Sequence, residues 1–481
     1  MKFKWFTNEF PKEVLNLNQD ILSFGKEERI KAHNKCDHEI KKEEEEEIEE
    51  IIISPFLLNY LTIINNEEWG KRDQFLDDFC SLLSMDIPFN EGDVELFSNF
   101  AHLFISQIVL QNDEKTLYLH LKLFYQLQLH FRFISNITCN DELLQLLSNF
   151  LNINDLEIQS LLIHIFTQFL PINPELVSRI CLNKIFFFLT SQSNICLITS
   201  SFKFMDEILK YRVLDQQSII IFIKLMKKYS DETSDQKIIQ ILISIFQKIL
   251  NFSMQTFLIS FDHSTLKLIE NLLIKSEGNN LINALNLVII ISNIKNPKLE
   301  LFFNEFDLLI LQNFIFDLSN PFDILSIHCI HNFIMLGMQK KVISSNFVEF
   351  FMEIIEKSRF EKKKEILLCL IHLLEFSPKE IKISLLMNEK FLFNIIDALS
   401  TLNIPDILMI LNILYSSFNH LKVSNDFESL KDVFTSTNFF QTLESIYSEN
   451  MNNGETLDES REVYQVLKLS RELAALFNIN L

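Results

Sequence analysis

The sequence predicts an all-α fold, a superhelical solenoid of about ten stacked repeats, from three observations. Apolar residues recur at helical spacing, and the pattern, broken by polar stretches, returns about every forty residues. The 481 residues contain only six glycines and nine prolines, and no long Gly/Ser linker divides them. Valine is scarce, and alternating runs of the kind a half-buried strand needs are rare. A chain this long exceeds the ~250 to 300 residues at which one compact core stops growing, so it must split or extend. The missing linker favours one continuous array over residues 55–481, preceded by a charged leader over 1–54 that is partly disordered or helical.

The period is visible when ten stretches are laid on Asp73, Lys115, Leu156, Cys196, Gln236, Leu281, Asp323, Lys363, Asp406 and Arg461, at intervals of 42, 41, 40, 40, 45, 42, 40, 43 and 55 residues. Six positions beyond each anchor stand Phe79, Leu121, Leu162, Phe202, Leu242, Leu287, Cys329, Cys369, Asn412 and Leu467, a column that is apolar except for Asn412 if cysteine is counted. Such a column is what the buried face of a stacked helix requires.

Along the chain, the leader holds the strongest charge run, KKEEEEEIEE from Lys41 to Glu50. It is a solvated helix or acidic arm, or a segment that docks on a basic partner or on the protein's own groove. A representative unit has a helix over Leu176–Leu189, a break at Ser191–Asn194 and a long last helix over Cys196–Leu209. The next has Ser218–Met226, a break at Ser230–Asp235 and Gln236–Leu250. Further breaks fall at Glu277–Asn280, Ser319–Pro321 and Asn403–Pro405, where Pro, Gly, Asn and Ser cap one helix or stop another. Asp155 and Asp235 stand where a carboxylate meets the positive end of a helix dipole. The longer last interval holds a polar loop, Glu449–Glu459 with Gly454, before a terminal helix Arg461–Phe477 whose Lys468, Arg471 and Glu472 suit a solvated capping face.

Composition bounds the function. Forty-seven Phe stand against 8 Tyr and 2 Trp, so Phe, Ile and Leu are core filling, and the mean hydropathy of +0.15 fits helices buried on both sides. No run reaches the ~18 apolar residues of a membrane span, and MKFKWFTNEF lacks the apolar core of a signal peptide. Both point to an intracellular protein, cytoplasmic with the nucleus as a second compartment, and to no membrane insertion. Seven scattered cysteines predict small buried hydrophobes in a reducing compartment. A net charge of −21 disfavours nucleic acid and, if electrostatics drives the encounter, favours a basic partner. It also serves simply to keep a Phe-rich chain in solution.

No residue set carries chemistry. The glycines never approach GxGxxG or GxxxxGK spacing, there is no nucleophile elbow, and no isolated carboxylate pair marks acid and base. His33, Cys36 and His38 lack a partner cluster with zinc spacing, and His328 and His331 share a helix face as core histidines. Lys224, Lys227, Lys228 and Lys362–Lys364 are expected on solvated helix faces. The expectation is therefore no catalytic residues, no metal and no cofactor.

Two long helices end in IIISNI, Ile289–Ile294, and CIHNF, Cys329–Phe333, which look like the Leu-x-Asn-Leu ending of the third armadillo helix. Over roughly residues 70–480 the chain resembles the armadillo-type repeat proteins. The resemblance implies a right-handed superhelix in which Asn293 and Asn332 face a concave groove and hydrogen-bond an extended peptide. Independently of the family, the last helices of successive repeats present polar residues at related depths: Gln168, Asp206, Gln247, Asn293, Asn332, Glu375, Ser416 and Arg471. The leading expectation is a non-enzymatic scaffold, monomeric by itself, that binds a protein or peptide along this groove. An importin-alpha-like nuclear transport adaptor is the alternative, opposed by Trp5 and Trp69 lying before the array rather than beside the asparagines. A regulatory subunit of an enzyme complex is the other.

Overall fold

The computed structural model describes residues 51–52, 54–84, 89–90, 94–110, 113–191, 194–252, 254–294, 296–316, 322–422, 427–452 and 459–479. The charge run at Lys41–Glu50, the HNKCDH segment, the break at Ser319–Pro321 and Gly454 lie outside the described residues.

Ten long helices form the spine: α1 (Trp69–Leu83), α2 (Glu114–His130), α3 (Leu156–Phe169), α4 (Ile195–Ile208), α5 (Gln236–Phe252), α6 (Asn279–Ser292), α7 (Asp323–Met335), α8 (Phe360–Phe376), α9 (Ile404–Leu421) and α10 (Glu459–Leu476). Each packs against the next, so they stack as an unbroken ladder from α1 to α10. All ten repeat anchors fall inside these ten helices. A second row lies beside the ladder, in which helices Asp141–Phe150, Pro174–Ser191, Gln216–Glu232, His263–Lys275 and Leu309–Phe316 pack one on the next. From Met254 onward every unit adds a third, shorter helix, the first being Met254–Ser260, whereas α4 and α5 are each preceded by a single helix. The chain thus mixes two-helix and three-helix units on one spine. The paired strands among the described residues are Ile51–Ile52 and Phe89–Asn90, parallel and two residues each.

The repeated apolar column is the ladder's core. Phe79, Leu121, Leu162, Phe202, Leu242, Leu287, Cys329 and Cys369 are all buried. In α9 and α10 the register slips by one residue: Asn412 is exposed and Leu467 half-buried, while Leu411 and Val466, one position earlier, are buried. Trp69 is the first residue of α1, so it belongs to the ladder rather than preceding it, with the Arg72 guanidinium 5.1 Å from its ring centroid.

The breaks work as caps. Side-chain oxygens of Asp113, Asn140, Asp155, Asn194, Asp262 and Asn403 each accept a backbone N–H in the first turn of the helix that follows. Asp235 does the same to the Lys237 N–H at 2.8 Å. Each satisfies a donor that the first turn cannot, worth about 1 kcal/mol. Helix α7 ends differently: Met338 N–H reaches the Phe333 carbonyl and Gly337 N–H that of Ile334, with Gly337 at φ 92°, where a side chain would be strained. The helix after Gln216 runs to Glu232, so the break expected at Ser230 is shorter than the polar sequence implied.

Two expectations about polar residues are corrected by packing. Lys363 and Lys364 reach Asp397 and Asp406, but Lys362 is buried rather than solvated, 3.2 Å from an equally buried Asp323. Cys80, Cys181, Cys329 and Cys369 are buried as expected, whereas Cys139 is half-buried and Cys196 exposed. Burial pushes the Cys80 thiol up to about 12.

Candidate functional site

Because equivalent side chains stand about one repeat apart, polar residues on one face of the ladder meet their counterparts on the adjoining helix. Ser160 and Ser200 are 2.6 Å apart, and the Ser200 hydroxyl also lies 3.0 Å from His164 Nε2. Ser244 donates to Asp206 Oδ1 at 2.8 Å, and Lys248 Nζ sits 2.6 Å from the same oxygen. Further along, His328 Nε2 lies 2.9 Å from Glu365 Oε2, His331 Nε2 lies 3.0 Å from His372 Nδ1, and Lys364 reaches Asp406 at 2.6 Å. The result is a polar stripe running from α3 to α9, which fixes the rotation of each helix against the next.

The eight residues expected in the groove divide by what they do in this stripe. Asp206 is held by Ser244 and Lys248 as above, and Gln247 donates to the Asn283 carbonyl at 3.4 Å. Asn332 donates to Ser292 Oγ at 3.0 Å and to the Ile289 carbonyl at 3.4 Å, tying α7 to the end of α6. Asn293 is the exposed residue closing α6, its backbone N–H bonded to the Ile289 carbonyl. Glu375, Ser416 and Arg471 are exposed on α8, α9 and α10. Gln168 is half-buried and lines a cleft. The sequence reasoning missed Ser160, Ser200, His164, Glu365 and His372, although His331 and His372 stand 41 residues apart and Ser160 and Ser200 stand 40 apart, the repeat interval itself.

The cleft, of ≈ 750 Å³, opens where the last turns of α2, α3 and α4 come together. Its walls include Gln128, Ser135, Asn136, Thr167, Gln168, Glu207 and Tyr211. Gln128 and Ser135 are almost fully buried, at 1% and 2% exposure, yet neither the Gln128 amide nor the Ser135 hydroxyl has a hydrogen-bond partner. Glu207 carries the charge in this lining; it is paired with Lys210 and accepts from the Tyr211 hydroxyl at 3.4 Å. Apolar side chains also emerge in the last turns of the ladder, where Leu129, Met335 and Phe376 are exposed. Among the described residues no three His, Cys, Asp or Glu side chains are grouped to hold a metal ion, and no single helix is long and apolar enough to cross a membrane.

Three histidines of the ladder, His120, His164 and His331, are held below the ordinary histidine value, chiefly by burial, and give it a pH dependence. His120 accepts from the Tyr60 hydroxyl at 3.1 Å through Nε2 and donates from Nδ1 to the Thr116 carbonyl at 2.8 Å, the pattern of a neutral ring. Burial holds His120 down to about 4, and burial with the neighbouring His372 holds His331 down to about 4. Both values lie below the ~6.5 of an unfolded histidine. Their contribution is therefore present above pH ~6.5 and is lost as the pH falls toward 4, because only the unfolded chain takes up the protons. Burial pushes Glu365 up, but its hydrogen bond to His328 pulls it further down, and this net lowering contributes stability that is lost as the pH falls below the ~4.3 of an unfolded glutamate. The melting temperature should be level at neutral pH and fall between about pH 6.5 and pH 4, less steeply in His120→Gln. A profile that stays level down to pH 4 would contradict the assignment.

No protein-family model and no curated protein matches the sequence. Solved structures do. The crystal structure of an engineered protein superposes with a TM-score of 0.56 at 9% identity, covering 88% of this chain and 99% of the other. A structure determined for the interaction between cadherin and beta-catenin gives 0.51 at 13% identity, covering 83% and 82%. A designed armadillo repeat protein gives 0.40 at 12% identity, covering 48% and 98%. The fold is thus a divergent armadillo-like helical repeat array, supported by the superposition on the cadherin and beta-catenin structure and by the ladder of stacked helices.

Proposed function

We propose that the protein is a non-enzymatic scaffold that binds a segment of a partner protein along the ladder face, in the concave groove of the solenoid. The observation that carries this reading is the unbroken ladder itself. Ten stacked helices offer an extended surface with polar and apolar side chains repeated at each step, the form suited to an extended or helical segment. The likeness to a structure concerned with cadherin and beta-catenin supports a protein or peptide partner. The bonds described above divide the expected groove residues by role. Asp206, Gln247 and Asn332 hold adjacent helices in register, and Gln168, Asn293, Glu375, Ser416 and Arg471 are placed to meet the partner. We place the protein in the cytoplasm, with the nucleus as a second compartment, as a monomer by itself.

The test begins with affinity capture from the protein's own cells at low and high salt, followed by binding of the captured partner to variants. Replacing Asn293, Glu375 and Ser416 together by alanine should weaken the partner at least about ten-fold, or ~1.4 kcal/mol. The exposed positions should change thermal stability little. Asn332→Ala should instead cost about 1 kcal/mol of stability, the usual worth of a hydrogen bond. Full affinity in the triple variant would remove the groove reading. A transport adaptor is the second outcome, favoured by the charge of −21, and would show many basic partners lost as salt shortens the screening length from ~10 to ~3 Å. One stoichiometric catalytic chain would instead identify a regulatory subunit.

A further inference from the structure

We propose that the junction between α8 and the helix Lys379–Leu386 takes a carboxylate carried on the partner's bound segment, held by the Lys382 ammonium and the backbone N–H groups of Glu380 and Ile381; this rests on the groove reading above. The first observation is a cation without an acceptor. Lys382 is 8% exposed and makes no hydrogen bond or ion pair among the described residues. Its nitrogen is still open to solvent, because the unpaired side-chain atoms that have no surface, such as Ser377 Oγ and Asn394 Oδ1, do not include it. The lysines of the two preceding short helices are both satisfied: Lys341 Nζ donates to the Asn304 carbonyl at 2.5 Å and Lys298 Nζ to the Leu258 carbonyl at 2.6 Å. Burial lowers the Lys382 pKa more than the nearby Glu375 carboxylate raises it, as expected of an ammonium that has lost water and gained no bond.

The second observation is where that ammonium lies. Lys382 is the fourth residue of its helix, and a long helical side chain leans back over the turn before it. The influence of Glu375, in the last turn of α8, places the ammonium at the same end. The helix begins after Pro378, which supplies no side-chain cap, and the N–H groups of Glu380 and Ile381 are unbonded among the described residues. Such a helix start carries roughly half a positive charge and points its N–H groups outward. Pro378 and Glu380 are exposed, so this turn is open, and the exposed Phe376 between it and Glu375 joins it to the edge of the ladder face. One ammonium and two amides match the two oxygens of a carboxylate. A phosphate dianion would bring twice the charge beside Glu375 and Glu380, and a cation would meet Lys382 and the positive helix end.

The experiment uses the full chain and short acetylated, amidated peptides holding one glutamate, glutamine, phosphoserine or lysine between leucine and glycine residues, followed by saturation-transfer NMR titration at low salt. The glutamate peptide should bind more tightly than the other three, and Lys382→Met should weaken it at least about ten-fold, the loss of a charge-assisted hydrogen bond. Lys382→Met should keep or raise the melting temperature, since it removes an unpaired buried charge, which separates lost binding from lost folding. Glu380→Pro deletes one N–H of the first turn, where proline is tolerated, and should bind the peptide less tightly than Glu380→Ala, which keeps it. Equal binding of the glutamine peptide, tighter binding of the phosphoserine peptide, or unchanged affinity in Lys382→Met would each overturn the proposal. So would equal affinity in the two Glu380 variants, or a melting temperature lowered by Lys382→Met, which would show the ammonium already paired within the chain. If the peptides fail while a captured partner cross-links to the ladder face, only the carboxylate site falls. If the glutamate peptide binds as expected while no partner segment maps to the ladder, the site stands and the scaffold reading falls.

Discussion

Replacing Lys362 by alanine is expected to destabilise the middle of the array by about 3 to 5 kcal/mol, the cost of leaving one member of a buried ion pair alone. Lys362 in α8 and Asp323 at the start of α7 are both almost without solvent contact, their side chains 2% and 1% exposed. The ammonium lies 3.2 Å from Asp323 Oδ2 and donates to the Ile315 carbonyl at 2.9 Å, while Asp323 Oδ1 accepts from the Ile324 N–H. One amine thus closes the end of Leu309–Phe316, neutralises a carboxylate at a helix N-terminus and joins α7 to α8. Alanine would abandon all three and leave Asp323 charged in a dry site. The double substitution Lys362→Met with Asp323→Leu removes both charges and should recover most of the stability, because well-packed apolar pairs often match or exceed a buried ion pair. Urea unfolding, with hydrogen exchange followed in α7 and α8, checks both variants. A single-variant loss below about 1 kcal/mol would show that the pair is solvated in solution.

Lys362 also shows where the sequence stops being informative. The spine was legible because one requirement repeats: every ladder helix buries the same face, so Phe79 and Cys369 solve the same problem 290 residues apart. The caps were legible because an unpaired first-turn N–H admits few solutions, as at Asp155 and Asp235. Three consecutive lysines carry no such constraint. They point in directions about 100° apart around a helix, and only the neighbouring α7 decides which one is enclosed. The candidate site suffers the same loss of information. Asn332 and Asn293 stand in similar helix endings, yet one is tied to the Ser292 hydroxyl of the adjoining helix and the other is exposed. Gln128 and Ser135 gave no signal, since a glutamine on an amphipathic helix is ordinarily at the surface. Their burial depends on how three helix ends converge.

Phe477→Ala should cost about 3 to 5 kcal/mol, but the loss should be confined to the last units of the array. Phe477 follows α10 and is 1% exposed, with ring centroids of Phe418, Phe440, Phe427 and Phe434 at 5.0, 5.2, 5.6 and 5.8 Å. Those rings come from α9 and from the helices Phe427–Ser436 and Phe439–Asn452, so a single side chain closes a whole three-helix unit. The backbone presents it: Ile479 N–H bonds to the Ala474 carbonyl and Asn478 takes φ 61°, turning the chain so that the ring folds back on the unit. Truncation would leave a cavity among four aromatic rings that cannot collapse without moving α10 off α9. An interior unit shares such a loss with neighbours on both sides, whereas α10 packs on one ladder helix, α9, among the described residues. Hydrogen exchange should therefore show α10 and the two helices before it losing protection while α2 to α6 keep theirs. Uniform loss along the whole ladder would mean that the array unfolds as one cooperative block, and no loss at all would mean that the aromatic cluster is dispensable.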